Sequence, residues 1–242
     1  MPAVLVHGVP DTESMWEPLV AALDRHDVVR LALPGFGTAV PAGWTATKEE
    51  YADWLTARLE GFDESVDLVG HDWGAILCQR VASVRPDLIR TLAVGSGPLD
   101  VEYTWHAMAQ AMQTAEVGEQ VMTALVETSP DDLAAGLAAG GAGPELAAIQ
   151  ARRIDARMAE CILALYRSAV EVGAEWQPAV AAMAHRPAMV FHGADDAFVP
   201  VEIAARLAER IDAELIVYPD CGHWWAWERA QETAAALTRL WS

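Results

Sequence analysis

"VDLVGHDWGAIL", residues 66–77, decides how this chain is read. Val66 to Val69 is a short apolar run of the kind that fills a buried strand. It breaks at Gly70-His71-Asp72-Trp73-Gly74, and Ala75-Ile76-Leu77 resumes as an apolar, helix-favouring segment. Strand, tight turn and helix in that order surround a Gly-x-Nuc-x-Gly turn, whose flanking residues must be small because the central one is held in a strained conformation. The commonest central residue is serine; here it is Asp72. A turn aspartate beside a helix N-terminus is the plainer reading, but it leaves the strand–turn–helix setting unexplained.

Composition narrows what such a site can serve. The chain has 242 residues, 53% of them hydrophobic, enough to bury a full core as one large domain or a domain with an insertion. A net charge of −19 argues against nucleic acid and anionic membrane as partners, since both reward Lys and Arg. Cys78, Cys161 and Cys221 share no metal-like spacing and read as reduced thiols of a cytoplasmic protein. "MPAVLVHG" lacks a basic region, and its apolar run is too short for a signal peptide or a membrane span. No cofactor or metal is expected.

Short β-rich runs at 3–7, 27–33, 66–70, 90–95, 187–192 and 214–218 alternate with helix-like segments at 15–24, 47–60 and 74–84. That rhythm predicts a six-stranded, mainly parallel sheet covered on both faces, in the order 27–33, 3–7, 66–70, 90–95, 187–192, 214–218. Between Pro98 and Pro187 the rhythm stops. The stretch is rich in Ala, Met, Glu and Gln and reads as four or five helices, with the Ala/Gly-rich 131–144 a weak helix running into a loop. The simplest account is a core formed by residues 1–97 and 187–242, with 98–186 inserted as an all-helical cap. The run 27–33 would be an apolar sheet edge, for which a homodimer is a remedy.

Several motifs in register resemble the α/β-hydrolase superfamily, and together they cover nearly the whole chain. His7-Gly8-Val9-Pro10 follows the first strand as the HGxP loop does in that family. Leu33-Pro34-Gly35-Phe36-Gly37 resembles its D-x-x-G-x-G loop, although Ala32-Leu33-Pro34 replaces the acidic start. Gly70–Gly74 is the elbow. "HGADDAFVP" (192–200) resembles the acid-bearing turn and selects Asp196 over its neighbour Asp195, and "CGHWWAWE" (221–228) resembles the loop that delivers the histidine, His223. The order nucleophile, acid, histidine matches the family. His7, His71 and His192 read as structural hydrogen-bonding residues, and Trp224, Trp225 and Trp227 as core and cap packing.

The resemblance implies the chemistry that Asp72 would perform. A carboxylate suits displacement at saturated carbon and leaves an alkyl ester on the protein. Water then attacks the ester carbonyl, so the oxyanion to be stabilised belongs to Asp72 itself. Backbone N–H groups of Val9 and Trp73 would form the oxyanion hole, and His223, oriented by Asp196, would activate the water. Among superfamily members with Asp here the two large groups are epoxide hydrolases and haloalkane dehalogenases, and the leaving group separates them. Fluoroacetate dehalogenases carry Arg after the nucleophile, where this chain has Trp73. An epoxide oxygen needs a proton, and "ILALYRSAV" (162–170) resembles the Tyr-Arg segment of the epoxide hydrolase cap, which makes Tyr166 the acid. A second donor is sought in "VEYTWHAMAQ" (101–110), where Tyr103 is preferred and His106 is the alternative. Trp105 could instead be the second halide donor beside Trp73. His106, Trp105, Trp73 and Trp224 stand as the substrate-contacting candidates. The expected function is hydrolysis of a small apolar epoxide to a vicinal diol. Haloalkane dehalogenation is the alternative, and a silent ligand-binding module the third reading.

Overall fold

The computed structural model describes residues 1–183 and 186–242. Six strands, β1 (Ala3–Val6), β2 (Val28–Leu31), β3 (Val66–His71), β4 (Ile89–Gly95), β5 (Ala188–Gly193) and β6 (Glu214–Tyr218), form one sheet. Their order is β2-β1-β3-β4-β5-β6, as expected, and every pair is parallel. The central strands β1, β3 and β5 are buried along their whole length, which is why they read as near-continuous apolar runs. Side chains alternate across the sheet. Val4, Val6 and Leu68 enter one core cluster, and Ala3, Leu5 and Val69 enter the other.

The first cluster lies under α2 (Lys48–Glu60) and α3 (Trp73–Val84); on the opposite face the second is covered by α1 (Glu17–Ala22). Two of these helices start where the sequence supplies an N-terminal signal. Thr47 caps α2 by accepting from the Glu50 N–H, and Pro18 occupies the first turn of α1. The elbow glycines are set by space as much as by backbone freedom. A Cβ on Gly74 would collide with the Val6 carbonyl oxygen, so only glycine lets α3 start against β1.

Between β4 and β5 the described residues form six α-helices, more than the four or five expected. They are α4 (Ala107–Gln113), α5 (Val117–Glu127), α6 (Pro130–Leu137), α7 (Pro144–Ala151), α8 (Ala156–Ser168) and α9 (Val172–Val180). The extra breaks come from caps and prolines within the apolar pattern. Ser129 and Pro130 start α6, Gly143 and Pro144 start α7, and Asp155 caps α8 through the Met158 N–H at 2.8 Å. The Ala/Gly stretch is helical through Leu137, and a wide turn over Ala138–Ala142, with Gly141 at φ +103°, leads into the next helix. Buried Lys48 ties this helical segment to α2. Its backbone N–H donates to Ser168 Oγ at 2.8 Å, and its Nζ donates to Ser168 O at 2.6 Å and pairs with Glu175 at 2.7 Å.

Three further helices, α10 (Val201–Ile211), α11 (Trp225–Glu228) and α12 (Ala230–Trp241), complete the layers. On the β2 edge Val28 and Val29 are half-buried, Arg30 is exposed and Leu31 is buried. Among the described residues no helix is long and apolar enough to cross a membrane.

Candidate active site

Asp72 stands between β3 and α3 at φ +53°, ψ −122°. A non-glycine residue there stores strain on the order of 1–3 kcal/mol. The fold holds it from several sides. Its N–H donates to Gly95 O at 3.0 Å, and its own carbonyl accepts from Ala75 at 2.9 Å and Ile76 at 3.2 Å. The carboxylate points back to the β1 loop, where Val9 N–H donates to Oδ1 at 2.7 Å. Gly8 must be glycine for this approach, because a Cβ there would run into that same Oδ1. Trp73 is the first residue of α3, so its backbone N–H belongs to the turn that has no intrahelical acceptor.

The structure brings Asp72, His223 and Asp196 together. His223 Nε2 lies 3.7 Å from Asp72 Oδ2, and Nδ1 lies 2.9 and 3.1 Å from Asp196 Oδ2 and Oδ1. Asp196 Oδ1 also accepts from the N–H groups of Phe198 at 2.9 Å and Val199 at 3.1 Å, and Ser96 Oγ donates to Oδ2 at 2.8 Å. Its neighbour Asp195 faces solvent, so geometry makes the same choice between them as the motif did. Burial alone would raise the Asp196 carboxyl. The adjacent His223 and the N–H and O–H donors outweigh it and hold the group well below the usual carboxylate range. Burial likewise pulls the His223 imidazole down, but Asp196 and then Asp72 push it well above its ordinary value. Asp72 is held low by the same pairing, against its own burial. His71 Nε2 lies 2.9 Å from His223 O, and burial lowers His71 to about 4, so it stays neutral.

The remaining predicted residues form an aromatic wall. The Trp105 ring stacks on Trp73 at 5.8 Å and 17°, and Tyr166 meets both edge-on at 5.3 and 5.4 Å. Tyr166, on α8, is buried, and burial with the nearby Asp72 charge raises its phenol well above the usual value. Tyr103 is adjacent, but its hydroxyl donates to Phe198 O at 3.0 Å. His106 caps α4, its Nδ1 accepting from Ala109 N–H at 3.3 Å, with its ring against Phe198 at 5.1 Å. Trp224 packs edge-on to His223 at 5.1 Å, and its indole N–H is given to Asp11 at 3.0 Å. Among the described residues no group of three or more His, Cys, Asp or Glu side chains could hold a metal ion.

Sequence reasoning missed Asp11, Gln150 and Ser96. Asp11 is fully buried one residue past the His7–Pro10 loop, and Gln150 Nε2, from α7, donates to its Oδ1 at 2.8 Å. A carboxyl so close to a recognised motif was the available signal. Nothing in the sequence near Gln150 or Ser96 marks them, since each matters only through a partner distant in the chain.

A model of the alpha/beta hydrolase family matches residues 3–236, so the chain belongs to that family. It is 31% identical over 122 residues to an (E)-2-((N-methylformamido)methylene)succinate hydrolase of Acinetobacter baylyi, covering 49% of this chain and 45% of that protein. It is 28% identical over 148 residues to haloalkane dehalogenase 1 of Mycobacterium tuberculosis, covering 56% and 49%. The match therefore spans about half the length of these relatives. A solved haloalkane dehalogenase of Bradyrhizobium elkani has the same fold, with a TM-score of 0.78 at 21% identity over 99% of this chain and 90% of that one.

Asp11 yields a test of the site's electrostatics. Burial, with the charge of Asp72 adding to it, pushes the Asp11 carboxyl up to about 6 against the pull of Gln150 and Trp224. A carboxyl raised in the fold costs stability once it is ionised. The cost is absent below the unfolded value near 4, grows as pH rises, and is complete above 6. In Asp11→Asn the new amide can donate to Gln150 Oε1, which has no partner among the described residues. Urea unfolding should show the variant more stable than wild type by on the order of 3 kcal/mol at pH 8, with the gain vanishing near pH 4. A gain that does not change with pH would refute the assignment.

Proposed function

We propose that this protein is a hydrolase that opens epoxides to vicinal diols through a covalent alkyl ester on Asp72. One observation carries the alkyl-ester part of the reading: the acceptor at the Val9 N–H, 2.7 Å away, is an oxygen of the elbow residue itself. In acyl transfer by a serine, such a donor would serve a substrate oxygen. With a carboxylate nucleophile, the oxyanion of the second step forms on the carboxyl group, and Oδ1 already occupies that position. Oδ2 is 3.7 Å from His223, too far for a hydrogen bond, and keeps its lone pairs for attack.

The steps follow from these two oxygens. Oδ2 attacks an oxirane carbon, the ring C–O bond breaks, and the oxygen takes the Tyr166 proton. The high phenol pKa keeps that proton in place until the alkoxide develops. Ester formation removes the Asp72 charge, which is one of the influences holding His223 protonated. His223 thereby gives up its proton more readily and is available as the neutral base when a water must be activated. Water adds to Asp72 Cγ as His223 takes one of its protons, and negative charge gathers on Oδ1 under the N–H groups of Val9 and Trp73. Collapse expels the diol oxygen with that proton from His223, and the other water proton passes from the Asp72 carboxyl to the Tyr166 phenolate. The helices α4 to α9 act as the cap that supplies Tyr166 and excludes water. The partners are a small apolar epoxide and water.

Haloalkane dehalogenation is the second reading, also on one observation. The buried Trp73 indole N–H has no hydrogen-bond partner among the described residues, a vacant donor that suits a departing halide. Intact-protein mass spectrometry separates the two. His223→Gln should stall after the first step and gain the mass of one whole epoxide, whereas a haloalkane would add its mass less the hydrogen halide. Asp72→Asn should gain nothing, and an adduct on that variant would sink the proposal.

The role of Tyr166 has its own readout. Tyr166→Phe should lower kcat on epoxides by about 10²–10³, the usual loss for one transition-state donor, with little change in KM. Halide release falling by the same factor would show that the hydroxyl has no special task in ring opening.

We further propose a homodimer through β2, supported by half-buried Val28 and Val29 on the sheet edge. Light scattering at micromolar concentration should give twice the chain mass, and Val29→Lys should halve it. A monomeric wild type would end this part of the proposal.

A further inference from the structure

Trp105 differs from the other aromatic residues around Asp72. Trp73 is fully buried at the start of α3, Tyr166 is buried within α8, and the Tyr103 hydroxyl is committed to Phe198 O. Trp105 is half-buried on the extended segment before α4, and among the described residues its indole N–H makes no hydrogen bond. One face of its ring lies on Trp73. Against it is a cleft of about 60 Å³, lined by Pro98, Tyr103, Val170, Val172, Gly173 and Ala174 among others, with room for several water molecules. The indole thus lines that cleft and also packs on Trp73 and Tyr166 beside Asp72. Val101 and Val170 are 57% and 49% exposed beside the cleft, whose own surface is mainly polar, with Asp100 and Glu171 in the lining. In the observed packing the Asp72 side chain is only 14% exposed.

We propose that Trp105 is the movable wall that sets substrate size: its indole rotates into the cleft behind it and admits neutral substrates bearing a bulky apolar group to Asp72. This rests on the alkyl-ester reading above. Small substrates reach the carboxylate past the stacked indole, whereas an aryl or long alkyl substituent needs the space that the indole occupies. Exposed Val101 and Val170 offer such a group an apolar contact, and Glu171 disfavours an anionic one. Because the moving group holds no hydrogen bond, opening costs the ring stack and its apolar contacts and leaves no buried polar atom unsatisfied.

The test fills the cleft from outside the reacting site. Ala174 is exposed and touches neither Asp72 nor His223, so Ala174→Leu blocks the space into which Trp105 would turn. Rates are compared for 1,2-epoxypropane and styrene oxide, with Ala174→Ser as a folding control by circular dichroism. Ala174→Leu should lower kcat/KM for styrene oxide by about tenfold while leaving the small epoxide within about twofold. Trp105→Leu should raise the styrene oxide to epoxypropane ratio by about tenfold, and adding Ala174→Leu to it should no longer carry a penalty. Equal effects on both substrates, or none, overturn the proposal. The failure of the alkyl-ester reading looks different: His223→Gln would then gain no adduct from either epoxide. If haloalkanes form the adduct instead, bromoethane and 1-bromo-2-phenylethane take the place of the epoxides in the same comparison. A wild type silent towards both pairs overturns the size gate along with the reaction.

Discussion

A single residue forced to positive φ organises the site. The strained Asp72 turn is stable only because β1, β3 and β4 surround it: Gly8 and Gly74 leave room for it, and Gly95 accepts its N–H. A turn held this firmly presents its carboxylate in one orientation. That orientation sets one oxygen on the Val9 amide and the other towards His223. Preorganisation here is a property of the whole sheet and cannot be assigned to the turn alone.

Around that carboxylate the protein spends few cations. Asp11, Asp72 and Asp196 lie near one imidazole, and their nearest donors are backbone amides, an indole, a hydroxyl and a glutamine. The result is a graded set of carboxyls. Asp196, rich in donors, stays ionised; Asp11, with two neutral donors, is pushed to about 6. His223 takes its high proton affinity from this arrangement, and any step that neutralises one carboxylate alters the others.

The sheet was legible because a buried parallel strand leaves a dense apolar run, and all six runs fall where strands form. Asp72, Asp196 and His223 were legible because each sits in a turn whose glycines and prolines constrain the neighbouring residues. The helices between β4 and β5 were counted short because a cap such as Asp155 looks like any surface aspartate until its helix is seen. Asp11 and Gln150 illustrate a deeper limit. Their partnership joins positions 139 residues apart, and no local pattern encodes a contact of that kind. Tyr103 shows the converse: a plausible donor by position, its proton is engaged by Phe198 O across 95 residues of chain.

The sheet topology also bears on how the chain reaches this state. β4 and β5 are neighbours, with Leu92 beside Ala188, yet all six helices of the insertion lie between them. Joining those strands closes a loop of about ninety residues, an entropic cost that rises only slowly with length but must be met before the pairing yields any return. β1, β2, β3 and β4 involve shorter closures and can assemble first, leaving the half of the sheet that carries Asp196 and His223 to dock last. The Asp72 turn would then exist before Asp196 and His223 arrive. The slowest stage of folding would be the one that brings the three side chains together.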